Sequence, residues 1–311
     1  MTFDLLLSAD LSVDDADRVA ALLVAKLGLP QPAASWVHDW PETEYKAYFL
    51  RTNPRRIGAP TAIEIIGPHP ATGFSPHLGA THRRQGDRPV KTHSTVFSVP
   101  DVLAVSARLT AKQVPHWLRL DEDQPNSFPR IWVGQSGDEP EFYDASFDAG
   151  LVVEYVPTGV LGLRPDALEP VVDTSIAAGA PVRVASRSFV VDRLDAAVEV
   201  LDRVLDLRPE AVFESDADAC RVAEYRGTIA AGASLRLLEP TGAGIAHDFL
   251  DKWGAGAFTI AIAVNGLAAA AAGLTERGVS FVRVAGGGRE ADRLRVDPAE
   301  LDGAVFEFVE A

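Results

Sequence analysis

Two stretches of this chain, THSTVFSVPDVLAVSARLTAKQVPH (92–116) and FTIAIAVNGLAAAAAGLTERGVSF (258–281), superpose without a gap at an offset of 165 residues. Val99 falls on Val264, Val102 on Leu267, Ala107 on Ala272, Leu109 on Leu274, Lys112 on Arg277 and Val114 on Val279. Self-similarity at a fixed offset implies one supersecondary unit used more than once. Each copy reads as a strand, a helix and a second strand. The correspondence extends outward. TAIEIIGP (61–68) answers ASLRLLEP (233–240), and GLVVEYVP (150–157) answers GAVFEFVE (303–310). Helix-period runs at 12–29 and 192–207 each follow a short apolar strand. In the first of these, Ser12 with Asp15 three places on resembles a helix-entry capping pair.

The repeat divides the chain. Between the halves, residues 157–181 carry four prolines and three glycines and read as a linker. The expected organisation is an N-terminal domain at 1–156, that linker, and a C-terminal domain at 182–311. A chain of 311 residues is long enough for each half to bury its own core. Strands interleaved with short helices predict an α+β fold with helices packed on one face of mixed sheets. The opposite face is then covered or forms a cavity.

Charge narrows the partners. A formal net charge of −15 repels phosphate backbones and anionic lipid heads, so neither nucleic acid nor membrane is expected. The N-terminal MTFDLLLSADLSVDD lacks a basic leader region, and no apolar run approaches bilayer-spanning length, so a cytoplasmic protein is expected. Cys220 is the only cysteine, which excludes an intramolecular disulfide and a cysteine-rich zinc site. GAGIAH (242–247) only half matches a dinucleotide fingerprint, and GGG (286–288) reads as a hairpin tip.

The strand–helix–strand unit ending in GVSF (278–281), the LLEP strand (237–240) and the closing GAVFEFVE (303–310) resemble the vicinal-oxygen-chelate superfamily. That superfamily includes glyoxalases, bleomycin-resistance proteins and extradiol dioxygenases. The resemblance implies two tandem domains, each of paired βαβββ units curled into a cup-shaped mixed sheet with helices on the outer face. It also implies four inward strand positions that can hold a divalent metal such as Zn, Ni, Mn or Fe, typically through two histidines and one or two carboxylates. No nucleotide cofactor is expected.

Carried onto this chain, the C-terminal slots fall on Ser186, Arg236, Thr259 and Glu307. Only one of these is a ligand type, so this half is expected to be a degenerate, structural partner. In the N-terminal half the slots fall on Asp4 or Ser8, on Glu64, on Ser94 or His93, and on Glu154. Glu64 and Glu154 sit mid-strand among apolar neighbours, where a carboxylate is costly to bury unless paired, protonated or metal-bound. Strand alternation could equally point both to solvent. His93 is out of phase with Ser94, aligned with Phe258, and enters the cup only if the strand bulges there. Glu64, Glu154 and His93 are the candidate catalytic residues and the candidate metal ligands.

Six of seven histidines (38, 69, 77, 82, 93, 116) and four of five tryptophans (36, 40, 117, 132) precede residue 157, which favours the N-terminal cup as the working one. Segments 67–89 and 119–144 read as long, turn-rich connections. Three functions stay open, each for a small-molecule ligand on a monomer or homodimer. One is a metal-dependent lyase or isomerase acting next to a carbonyl. Another is a metal-free binding or resistance protein. The third is metal-free acid–base catalysis through Glu64 or Glu154. An extradiol dioxygenase would want two histidines in the slots.

Overall fold

In a computed structural model, residues 3–40, 44–52, 60–88, 90–120, 128–136, 143–161 and 176–311 are described. The strands of the first half are β1 (Leu5–Leu6), β2 (Ser8–Ser12), β3 (Val37–Trp40), β4 (Tyr45–Leu50), β5 (Ala62–Gly67), β6 (Thr95–Val99), β7 (His116–Arg119), β8 (Arg130–Val133) and β9 (Val153–Pro157). Those of the second are β10 (Pro181–Val190), β11 (Ala211–Ser215), β12 (Cys220–Tyr225), β13 (Ser234–Pro240), β14 (Gly256–Val264), β15 (Phe281–Val284), β16 (Arg293–Val296) and β17 (Val305–Glu310). The helices are α1 (Ala16–Leu27), α2 (Pro76–Arg84), α3 (Val102–Ala111), α4 (Leu194–Leu205), α5 (Ile245–Trp253) and α6 (Leu267–Glu276). Most of the expected linker, at 162–175, lies outside the described residues.

The second half forms one sheet in the order β11-β12-β13-β10-β14-β17-β16-β15. The first half forms two, β3-β4-β5-β2 and β1-β6-β9-β8-β7. Only Leu7 separates β1 from β2, so the two orders join into the same sequence of strands as the second half. Parallel pairs recur at matching places, β2 with β5 and β6 with β9 against β10 with β13 and β14 with β17. Register agrees too. Asp10 faces Glu64 where Ser188 faces Arg236, and Val96 faces Glu154 where Ala261 faces Glu307. The repeat is thus two tandem cup-shaped mixed sheets, as the sequence implied.

Local signals explain the helices. α1 buries Ala16, Val19, Ala20, Leu23 and Leu27, the spacing of a helical stripe. Its N-cap is Asp15, whose side chain accepts the Arg18 N–H, and it stops at Gly28 with φ 70°. Ser12, expected to begin that cap, is instead the last residue of β2. Ala9, Leu11, Ile63, Ile65, Phe97, Val99, Val153 and Tyr155 belong to the core that α1 and α3 cover. The alternate residues of the same strands therefore face the concave side.

Two helices lie across that concave side rather than outside it. Leu78 of α2 packs on Ala47 and Ile66, and Ala246 and Phe249 of α5 pack on Val190, Cys220, Val222, Leu238, Phe258 and Val305. α2 falls in the 67–89 segment read as a turn-rich connection. Its helix starts because Ser75 accepts the Leu78 N–H and Pro76 opens the first turn.

The halves lock reciprocally, and one apolar core runs through both. Lys112, at the end of α3, donates to the Arg203 carbonyl at the end of α4 (2.9 Å) and pairs with Asp206 (2.7 Å). Its repeat partner Arg277, at the end of α6, donates to the Lys26 carbonyl at the end of α1 (3.0 Å). Each cation thereby satisfies carbonyls at a helix C-terminus. Asp4 pins the same seam, accepting from the hydroxyls of Thr158 (2.6 Å) and Thr228 (2.8 Å).

Candidate functional site

Alternation on β2 puts Ser8, Asp10 and Ser12 on the concave face, and the register of β5 sets Glu64 beside Asp10. Phe49 lies opposite Glu64 on β4, and Trp132 lies opposite Glu154 on β8. Glu64 is 6% exposed and Glu154 4%, so both glutamates point into the cup and not to solvent. Glu154 accepts the Ser94 hydroxyl (2.9 Å) and stands 3.6 Å from Arg130 Nη1. Trp132 stacks on Trp117 (ring centroids 4.6 Å), and Tyr45 stacks on His38 (4.8 Å).

His93 reaches the cup through a break in the sheet. Ser12 N–H bonds to the Lys91 carbonyl (2.9 Å) and Leu7 N–H to the Val96 carbonyl (2.8 Å), and between those two bonds the ladder opens. Asp10 fills the gap. Its carboxylate accepts the His93 main-chain N–H (2.6 Å), the His93 Nδ1 (3.0 Å) and the Thr92 hydroxyl. His93 Nε2 then lies 3.9 Å from Glu64 Oε1. The second half has its own irregularity at the equivalent place, a register shift between Arg187 and Phe189 along β14, and Phe258 turns onto α5 there.

The electrostatics follow from packing three charges together away from water. Burial alone would lower the His93 pKa, but the charge of Glu64 and the hydrogen bond and charge of Asp10 push it up to about 9. These partners favour the imidazolium form of the ring at neutral pH. Burial raises the Glu64 carboxyl above its ordinary range against the pull of His93, with Asp10 adding to the rise. Asp10 goes the other way. Burial works to raise it, while His93, Arg187 and Thr92 together hold it below the usual range. Burial also raises the Tyr45 hydroxyl, which stands within the field of Arg130, Glu64 and Glu154.

Glu64 and His93 thus come together directly, and Glu154 sits close enough to both for its charge to act on them. The donor set does not fit the expected metal. Among the described residues, no group of three or more His, Cys, Asp or Glu side chains is arranged to hold a metal ion. The reason is chemical. The slots on β2 and before β6 hold Ser8 and Ser94, His93 is held through Nδ1 by Asp10, and Arg130 stands beside Glu154. Asp4, the alternative to Ser8, is engaged at the seam by Thr158 and Thr228.

The two charged C-terminal slots, Arg236 and Glu307, are filled by ion pairs. Glu307 accepts from Arg293 (3.1 Å) and Arg295 (2.7 Å), and both arginines also meet Asp218 (2.5 Å each). Arg236 pairs with Glu290 (3.3 Å) and Glu224 (3.5 Å), so it and Glu307 are both paired, though not with each other. Cys220 is buried, and burial pushes its thiol up to about 12, which leaves no nucleophile there. Three other N-terminal histidines have partners of their own. His82 bonds Ser12 and Asp14, His69 bonds Asp39, and His116 bonds Ser106.

Sequence reading missed Asp10. It stands two residues from Ser8 on the same face, so strand alternation alone could have found it.

No family model matches the chain, and no curated protein matches its sequence. Solved structures do match. A variant of 4-hydroxymandelate synthase from Streptomyces coelicolor aligns over 100% of this chain and 93% of its own, at 17% identity and a TM-score of 0.61. Methylmalonyl-CoA epimerase from Mycobacterium tuberculosis aligns over 44% of this chain and 93% of its own, at 23% identity and a TM-score of 0.40. The Streptomyces coelicolor epimerase in complex with 2-nitronate-propionyl-CoA aligns over 42% of this chain and 99% of its own, at 23% identity and a TM-score of 0.39. The full-length alignment shows the vicinal-oxygen-chelate fold in two tandem domains. Among the described residues, no helix is long and apolar enough to cross a membrane.

Proposed function

We propose that the N-terminal cup is a metal-free acid–base site that moves a proton next to a carbonyl in a small molecule, an isomerase or lyase reaction. The observation that carries this reading is the pairing of His93 Nε2 with Glu64 Oε1 at 3.9 Å inside an aromatic-walled cup. Two titratable groups with opposed environments divide the work of acid and base. Glu64, its basicity raised by burial, takes the α-proton. His93, protonated and oriented through Nδ1 by Asp10, donates a hydrogen bond to the oxygen on which enolate charge develops. That is the stabilisation a divalent ion supplies in a metal-bearing cup. Trp132 and Trp117 form an apolar wall, and Arg130 beside Glu154 offers a cation to an anionic substituent.

The test is exchange in heavy water. A panel of small carbonyl compounds with an acidic α-C–H is incubated with the full chain, and loss of the α-proton signal is followed by NMR. The wild type is expected to exchange at least one compound, and E64Q to exchange it about 100-fold more slowly or less. A compound that quenches tryptophan fluorescence on binding yet returns undeuterated would favour the binding-protein reading instead.

A further inference from the structure

Arg187 is 1% exposed and heads the large side chains that are fully buried. It belongs to the C-terminal half, on β10, and points away from that half's own cup into the seam where β10 approaches β2. Its Nη2 donates to the Asp10 main-chain carbonyl at 2.9 Å, while Nε and Nη1 are buried without a hydrogen-bond partner. The guanidinium lies 5.4 Å over the Phe189 ring. An arginine buried with one hydrogen bond is an expensive feature for a fold to keep. The repeat shows that the fold does not require it. Asp10 answers Ser188 in register, so the position equivalent to Arg187 in the first half is Ala9, a small apolar residue.

We propose that Arg187 is a positioning residue for the N-terminal site. Through the Asp10 carbonyl and the field on the Asp10 carboxylate, the C-terminal half fixes the segment that holds His93 toward Glu64. This rests on the reading of Glu64 and His93 as the working pair, and it gives the degenerate half a part in the chemistry beyond scaffolding. The groups that face His93 are the carboxylates of Asp10, Glu64 and Glu154, with Arg187 beyond Asp10. With Glu64 ionised and Glu154 offset by Arg130, the charges of Arg187, Asp10, His93 and Glu64 sum to zero. Removing the arginine leaves a net negative charge in a buried site, and the site relieves it by binding protons more tightly.

The test is a histidine-ring NMR titration of the full chain, with H93Q used to assign the His93 signal. In R187M, His93 is expected to titrate at least about 0.5 pH unit higher, roughly threefold in proton affinity, and R187K is expected to restore the wild-type curve. A folded R187M whose His93 titrates with the wild type overturns the proposal. Should R187M fail to fold, R187Q, which keeps a donor for the Asp10 carbonyl, carries the same comparison, and an unshifted His93 there overturns it equally. A shifted His93 in R187M alongside full proton exchange in E64Q would sink the acid–base reading while leaving the coupling of Arg187 to the site intact.

Discussion

Asp10 holds His93 twice, through its main-chain N–H at 2.6 Å and its ring Nδ1 at 3.0 Å, so one carboxylate both replaces a missing ladder bond and aims the imidazole. The ring's other nitrogen is thereby left facing Glu64, 3.9 Å away and outside hydrogen-bond distance, where it can still donate to a substrate. Asp10 sets the position of His93 and, together with Glu64, favours its protonated form.

The first consequence concerns Asp10 itself. D10N keeps the volume but loses the charge, and one of its two polar atoms becomes a donor. The His93 ring then loses its acceptor or its tautomer, and proton exchange at the substrate carbon is expected to fall about 100-fold. D10N with exchange as fast as wild type would show that His93 needs no such orientation.

Stability should carry a signature of His93. Its pKa in the fold, about 9, lies above the ordinary value of 6.5. A group raised on folding stabilises the fold fully below its unfolded pKa and loses that contribution as pH rises through the folded one. The difference in urea-unfolding free energy between wild type and H93Q should therefore be largest at or below pH 6.5 and shrink toward pH 9. A difference that grows over this window would contradict the charge pairing.

Metal content follows from the donor set. Chain purified without chelator is expected to carry less than about 0.1 equivalent of Mn, Fe, Ni or Zn, and dialysis against EDTA should leave ligand binding and turnover unchanged. Activity lost to EDTA and restored by one of these ions would return the metal-dependent lyase or isomerase to first place.

In the C-terminal cup, Glu307 is the anion shared by Arg293 and Arg295. E307Q leaves two largely buried guanidiniums short of a countercharge and is expected to lower the unfolding free energy by about 3 kcal/mol. Tryptophan quenching by a ligand of the N-terminal cup should be unaffected. Loss of that quenching in folded E307Q would mean that the second cup, too, takes part in binding.

Much of this was legible in the one-dimensional pattern. A repeat at an offset of 165 residues and period-2 alternation can be read in one dimension, so the two matching halves follow from them, while alternation alone left Glu64 and Glu154 to face either the cup or solvent. α2 was not legible, because its sequence PHLGATHRR has a glycine, two histidines and little apolar stripe. What makes it a helix is a capping serine and the Ala47 and Ile66 surface beneath Leu78, supplied by other strands.

The chain's own pattern determined the tandem repeat and the matching order of strands and helices in its two halves, since these depend on neighbours a few residues away or on a repeat within the chain. The tertiary structure decided which way His93 points and that Asp10, and through its carbonyl Arg187, stand in its setting. Those outcomes depend on residues brought together from 83 and 177 positions apart, and on the charge that burial forces them to share.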